Sequence, residues 1–122
     1  MNDIYEITSQ NELNKIQQES LNSPVVIYKH SIRCSTSSLV WDRLGRKWDI
    51  SPDIAKLYFL DLINHRDLSD KIAAYYNVQH ESPQILIILN EKCVYDVSHF
   101  EIDYQDIKNK LEEIEGISSN VS

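Results

Sequence analysis

Apolar residues fall along the chain in two alternating patterns. Short dense runs read as strands, and positions recurring every three to four residues read as helices. Val25-Val26-Ile27-Tyr28 and Leu57–Ile63 are runs of the first kind, and Gln84–Leu89 carries the strongest strand signal in the chain. Ile4–Ile7 is a shorter strand candidate. Between them, Ser9-Gln10-Asn11-Glu12 matches a capping box, and Leu13, Ile16, Ser20 and Leu21 follow at helical spacing until Ser23-Pro24 breaks the pattern. Lys29 through Ser38 reads as a polar turn, continued by Leu39, Val40, Trp41, Leu44 and Trp48 on a second helix. Asp67 is placed to cap a third helix with Leu68, Ile72, Ala73 and Tyr76 on its inner face. Asn90-Glu91-Lys92 predicts a tight turn from which Cys93–Ser98 pairs back, and Tyr104, Ile107, Leu111 and Ile114 line one side of a closing helix. The order is β-α-β-α-β-α-β-β-α. Alternation implies parallel pairing through crossover helices, and the late hairpin adds an antiparallel pair. The expected fold class is α/β, a mixed central sheet with helices on both faces.

The 122 residues suit one domain, here 1–116, with 117–122 after Gly116 read as a flexible tail. The 12 basic and 19 acidic side chains sum to −7, which argues against nonspecific binding to nucleic acid or to anionic membranes. No apolar run approaches the roughly 20 residues that span a bilayer, and the start of the chain lacks the pattern of a signal peptide. Two distant cysteines, Cys34 and Cys93, do not suggest a disulfide-stapled secreted fold, so the expected compartment is the reducing cytoplasm. With only two glycines there is no phosphate-cradling loop.

Chemistry concentrates at Cys34, where the second strand gives way to a helix. A helix start presents unpaired N–H groups and partial positive charge, and both favour thiolate over thiol. Arg33, Lys29 and His30 add positive charge nearby. Ser37, three residues on, is within reach of the sulfur as a donor, and Ser35 and Thr36 belong to the same turn. The competing reading is a small buried apolar cysteine, which the polar neighbours oppose. Ser82-Pro83, taken alone, reads as a trans proline opening a strand.

Tyr28-Lys29-His30-Ser31 ahead of Cys34-Ser35-Thr36-Ser37, then His80-Glu81-Ser82-Pro83-Gln84, then Ser98-His99, resemble the thioredoxin fold and, more narrowly, the monothiol bacilliredoxin (YtxJ) family of the bacillithiol system. The resemblance runs roughly from Ile4 to Leu111. Cys-x-x-Ser alone is weak; its combination with Lys-His-Ser and Glu-Ser-Pro-Gln in this order is far more specific. The family usually has proline directly after the cysteine. Here Ser35 stands there, a difference that bears on the rigidity of the turn and on the thiol's pKa. The resemblance implies a thiol–disulfide oxidoreductase that removes bacillithiol, or a similar low-molecular-weight thiol, from S-thiolated proteins. Cys34 is the implied nucleophile, with bacillithiol as co-substrate and no tightly bound cofactor. Ser37 occupies the place of a second cysteine, and a hydroxyl cannot resolve a disulfide. The resemblance also implies a cis Pro83 facing Cys34, with Ser82 and Pro83 presenting backbone groups to an extended substrate segment.

His80 and His99 lie in matched segments and either flank the active face or satisfy loop backbone groups. Cys93 reads as a packing cysteine and His65 as a surface loop residue. Other functions compatible with the pattern are a thioredoxin-like binding module without turnover, and a monothiol-glutaredoxin-like carrier of metal or an iron–sulfur cluster. No Cys-x-x-Cys or His-x-x-x-His spacing supports a structural metal site. Nothing in the sequence requires more than a monomer.

Overall fold

The computed structural model describes the backbone of residues 3–119 and side chains through residue 115. Its elements are β1 (Ile4–Glu6), α1 (Gln10–Glu19), β2 (Val25–His30), α2 (Ser35–Lys47), β3 (Lys56–Asp61), α3 (Arg66–Tyr76), β4 (Gln84–Leu89), β5 (Lys92–Ser98), a short 3-10 turn (His99–Glu101) and α4 (Tyr104–Ser119). The strands form one sheet in the order β1-β3-β2-β4-β5. β3 runs parallel to β1 and β2, while β4 runs antiparallel to β2 and β5. The expected mixed sheet is therefore present.

Strand parity divides the core. Val25 and Ile27 face α1 and α3, packing with Leu13, Ile16, Leu68 and Ile72. Val26 and Tyr28 face α2 and α4, packing with Val40, Leu44, Ile107 and Leu111. Central strands sandwiched between helices must be apolar on both faces, which is why β2 and β4 read as continuous runs. The Asn90-Glu91 turn has both residues at positive φ (53° and 63°), the two-residue hairpin geometry whose twist matches the strands it joins. Among the described residues, no helix is long and apolar enough to cross a membrane.

Several boundaries differ from expectation. Lys29 and His30 are not turn residues; they extend β2, with Lys29 between Leu60 and Gln84 and His30 beside Asp61. Both are buried, because a strand paired on both sides keeps its ladder satisfied whatever its side chains. β3 stops at Asp61, two residues short of Ile63. The Asp61 carboxylate accepts the Ile63 N–H at 3.0 Å and an Asn64 Nδ2 donor at 2.8 Å, an Asx turn that bends the chain away. His65, not Asp67, is the N-cap of α3, and Asp67 lies in its first turn. At α1, Ser9 is the N-cap and accepts from the Asn11 N–H, while Glu12 accepts from the Thr8 N–H and hydroxyl and from the Ser9 hydroxyl. Leu21 and Leu39 are exposed rather than core. α4 stays helical to Ser119, so the first three residues of the expected tail are helix. A helix-interior glycine such as Gly116 costs only about 1 kcal/mol and does not by itself end a helix. Residues 120–122 of that tail lie outside the described residues.

Candidate functional site

Cys34 is the N-cap residue of α2, with extended backbone (φ −107°, ψ 113°). Its N–H donates to the Ser31 carbonyl at 3.1 Å, closing the turn out of β2. The residue is partly exposed and its thiol is free. The thiol pKa lies below the ordinary value of 9.0, first because of the Ser37 N–H; the Thr36 N–H and the Ser37 and Thr36 hydroxyls add to the effect, and partial burial opposes it. The Ser37 N–H already donates to the Cys34 carbonyl at 3.0 Å, and the Cys34 side chain forms no capping hydrogen bond. The sulfur therefore feels these groups as a cluster of partial positive charge rather than as fully committed donors. Ser35, the first residue of α2, is exposed.

Ser37 is completely buried. Its Oγ accepts from the Ser31 N–H at 3.4 Å, and its carbonyl accepts from the Tyr28 hydroxyl at 2.7 Å. The position that would hold a resolving sulfur instead ties the Cys34 turn to β2. Tyr28 stacks with Trp41 (centroids 4.7 Å apart) and Phe59 (6.2 Å), forming an aromatic floor beneath the turn.

The nearby charges expected from sequence do not all reach the sulfur. His30 lies on the aromatic side, 5.1 Å from the Phe59 ring, and burial pushes its pKa down, so it is a neutral packing residue rather than a cation. Lys29 points to the opposite face, toward α3, with its Nζ 3.4 Å from His80 Nδ1. Arg33 is exposed beside Cys34. The thiolate is therefore favoured by the groups at the start of α2 rather than by Lys29 or His30, because alternation along β2 sends those two side chains to opposite faces.

Ser82-Pro83 is a cis peptide. Gln84 pairs with Lys29, so Pro83 sits beside the end of β2 from which the Cys34 turn departs. The loop is braced on both sides. The His99 N–H donates to the Pro83 carbonyl at 3.0 Å, and His99 Nε2 lies 3.0 Å from Glu81 Oε2, with His99 itself at positive φ (57°). His80 Nδ1 lies 3.1 Å from Ser69 Oγ and near Lys29 Nζ. An ammonium can only donate, so Nδ1 accepts and the neutral ring carries its proton on Nε2. Burial and the Lys29 charge both hold the His80 pKa down. These side-chain contacts hold both histidines against the proline loop, and among the described residues neither ring satisfies a loop backbone group; His80 also faces the space beside the Cys34 turn.

Cys93 is elsewhere. It pairs with Ile88, four positions along β4 from Gln84, or roughly 13 Å at strand rise. Its Sγ donates to the Tyr95 carbonyl at 3.3 Å, and burial raises its pKa. Among the described residues, no three His, Cys, Asp or Glu side chains gather as a metal site. The Lys29–His80–Ser69 network, with the Arg66 charge acting on it, is not visible in the pattern of the sequence. The available signal for Lys29 was its place in step with Val25 and Ile27, at the next position on the same face of the strand.

A solved structure described as a candidate oxidoreductase with a thioredoxin fold is similar over 89% of this chain and 93% of its own, at 29% identity and a TM-score of 0.75. A thioredoxin from Malassezia sympodialis matches at 12% identity and a TM-score of 0.72, covering 93% of this chain and 91% of that one. A thioredoxin from Trypanosoma brucei brucei matches at 16% and 0.70, covering 91% and 89%. At such identities the two thioredoxins speak to the fold alone, which is thioredoxin-like. The model of the monothiol bacilliredoxin BrxC family matches residues 5–107, most of the chain and all of the Cys34 and Pro83 segments. A thiol redox role follows from that membership and that fold, and the chain belongs to the monothiol bacilliredoxin BrxC family.

Proposed function

We propose that the protein removes bacillithiol, or a closely similar low-molecular-weight thiol, from mixed disulfides on proteins. The observation that carries this reading is Cys34 itself: a partly exposed sulfur at a helix N-cap, its thiolate favoured by the Ser37 and Thr36 N–H groups, with a buried serine where a second cysteine would stand. In the forward step the Cys34 thiolate attacks the small-thiol sulfur of the mixed disulfide. A Cys34–small-thiol disulfide forms, the original S–S bond breaks, and the protein sulfur leaves as a thiolate that takes up a proton. Electrons are conserved, since one disulfide replaces another. Ser37 cannot complete a second exchange, so a further small thiol attacks the adduct, forming the symmetrical small disulfide and returning Cys34 as thiolate.

Ser82 and Pro83 supply the neighbouring loop on which an extended segment of the S-thiolated protein rests. His80 and His99 support that loop from behind, and Arg33, Ser35 and Thr36 frame the turn. No tightly bound cofactor enters the cycle, the working form is a monomer, and the place of action is a reducing compartment, the cytoplasm.

The test is intact mass after exposure to a bacillithiolated protein. One small-thiol adduct at Cys34, with release of the protein thiol and none at Cys93, is the expected result. Labelling of Cys93 alone, or of neither sulfur, overturns the reading. Cys34→Ser separates exchange from simple binding, because a binding module would keep partner capture after that change.

A further inference from the structure

Three chain segments meet beside the Cys34 turn and enclose an open cavity of about 330 Å³. Ser31 and Arg33 come from the β2–α2 turn, Leu62 from the turn after β3, Arg66 from the first position of α3, and His80 and Ser82 from the loop before β4. The cavity thus begins one residue from Cys34 and ends one residue from Pro83. Its volume falls at the small end of ordinary ligand sites.

Its charge is opposite to that of the chain. The whole sequence carries −7, yet this cavity presents two guanidinium groups. Among the described residues, Arg33 has no carboxylate within ion-pair distance, and Arg66 has only a long contact, 3.7 Å from Nε to Asp70, with both side chains about two-thirds exposed. The other nearby carboxylates are engaged: Glu81 with His99, and Asp61 with the Ile63 N–H and Asn64. Behind the His80 wall lies Lys29, a fully buried ammonium whose Nζ meets a neutral imidazole nitrogen and no carboxylate. A buried cation with no carboxylate in contact is unfavourable; Asp70 offsets this only at a distance, and an anion seated in the cavity would add a nearer counter-charge.

We propose that this cavity receives a carboxylate carried by the small thiol, so that the site selects anionic low-molecular-weight thiols. This rests on the exchange reading above. Once a small thiol is joined to Cys34 through its sulfur, the rest of the molecule is confined to a few ångströms around the turn, and the cavity is the adjacent space with complementary charge. Arg33 and Arg66 offer planar forked donors suited to a carboxylate. Ser31 and Ser82 add hydrogen-bonding capacity.

The test uses one uncharged peptide with a single cysteine, joined as a mixed disulfide either to mercaptosuccinate (two carboxylates) or to thioglycerol (none). Transfer of each small thiol to Cys34 is timed by intact mass. Each rate is divided by that of a free reference thiol, to remove the intrinsic reactivity of the disulfide. The expected normalised preference for mercaptosuccinate is about fivefold or more at low salt, the upper end for one exposed ion pair, and it shrinks toward one in 1 M NaCl. Arg66→Gln lowers the preference, while Arg66→Lys, which keeps the charge and loses the fork, retains part of it. Equal rates, with Cys34 exchanging both substrates, overturn the carboxylate site and leave the exchange reading standing. A preference that follows acidic residues placed in the peptide, rather than the small thiol, also overturns it. Exchange with neither substrate overturns both.

Discussion

Replacing Lys29 with methionine removes a buried cation and keeps an unbranched side chain of similar length. In the folded protein, burial lowers the Lys29 pKa from an ordinary 10.5 to about 8; Asp70 opposes the fall and Arg66 adds to it. At 1.36 kcal/mol per pH unit, that difference corresponds to about 3 kcal/mol. Its direction follows from proton counting. Between pH 8 and 10.5 the unfolded chain still holds a proton that the folded chain has released, so stability rises with pH across this window. Below pH 8 both states are charged and the folded state bears the full cost. Losing the Nζ contact with His80 offsets about 1 kcal/mol of the gain. Lys29→Met should therefore be more stable than the natural protein by about 2 kcal/mol at pH 7, and the advantage should vanish by about pH 10. Urea unfolding of both proteins at several pH values reads this. Taking the difference removes contributions common to both, including those of the buried tyrosines Tyr28 and Tyr58, whose pKa values burial raises. A variant less stable at pH 7, or an advantage that does not change with pH, would refute the reasoning. A confirmed gain would mean that the protein retains a costly cation beside the cavity, as expected of a group kept for binding rather than for stability.

Four further outcomes follow from the site. Alkylation of Cys34 by iodoacetamide should stay fast well below the ordinary thiol pKa of 9.0 while Cys93 remains slow, since one pKa is lowered and the other raised; peptide mapping across pH 6–9 separates them. Ser37→Ala removes a buried hydroxyl that binds the Ser31 N–H, so thermal unfolding should show a loss of about 1 kcal/mol. The midpoint of Cys34 alkylation should rise only slightly in that variant, because the Ser37 N–H, the larger cause, is untouched. Tyr28→Phe leaves the buried Ser37 carbonyl without its hydroxyl donor, a loss of about 1–3 kcal/mol measurable by urea unfolding.

Local pattern carried much of this protein. Dense apolar runs marked β2 and β4 because both strands are covered on two faces, and the spacing of Tyr104, Ile107, Leu111 and Ile114 marked the buried side of α4. Cys34 at a helix start was legible for the same reason, since capping is a property of adjacent residues. What depended on distant segments was not legible. Lys29 and His30 look like turn residues, and only pairing with β3 and β4 makes them strand, with parity sending one toward α3 and the other into the aromatic cluster. The Asx turn at Asp61 that carries Arg66 to the cavity depends on where β3 leaves the sheet.

By itself, then, the sequence determined the order of elements, a cysteine at the start of a helix and the want of a second sulfur three residues on, because each is written in neighbouring residues. No local pattern placed the Pro83 loop beside the Cys34 turn, which only the family resemblance implied, and tertiary structure alone decided that Arg33, Arg66 and His80 surround one cavity. Those residues come from segments about thirty or more positions apart in the chain wherever β2 meets the later strands, and no local pattern encodes which side of a strand will meet which helix.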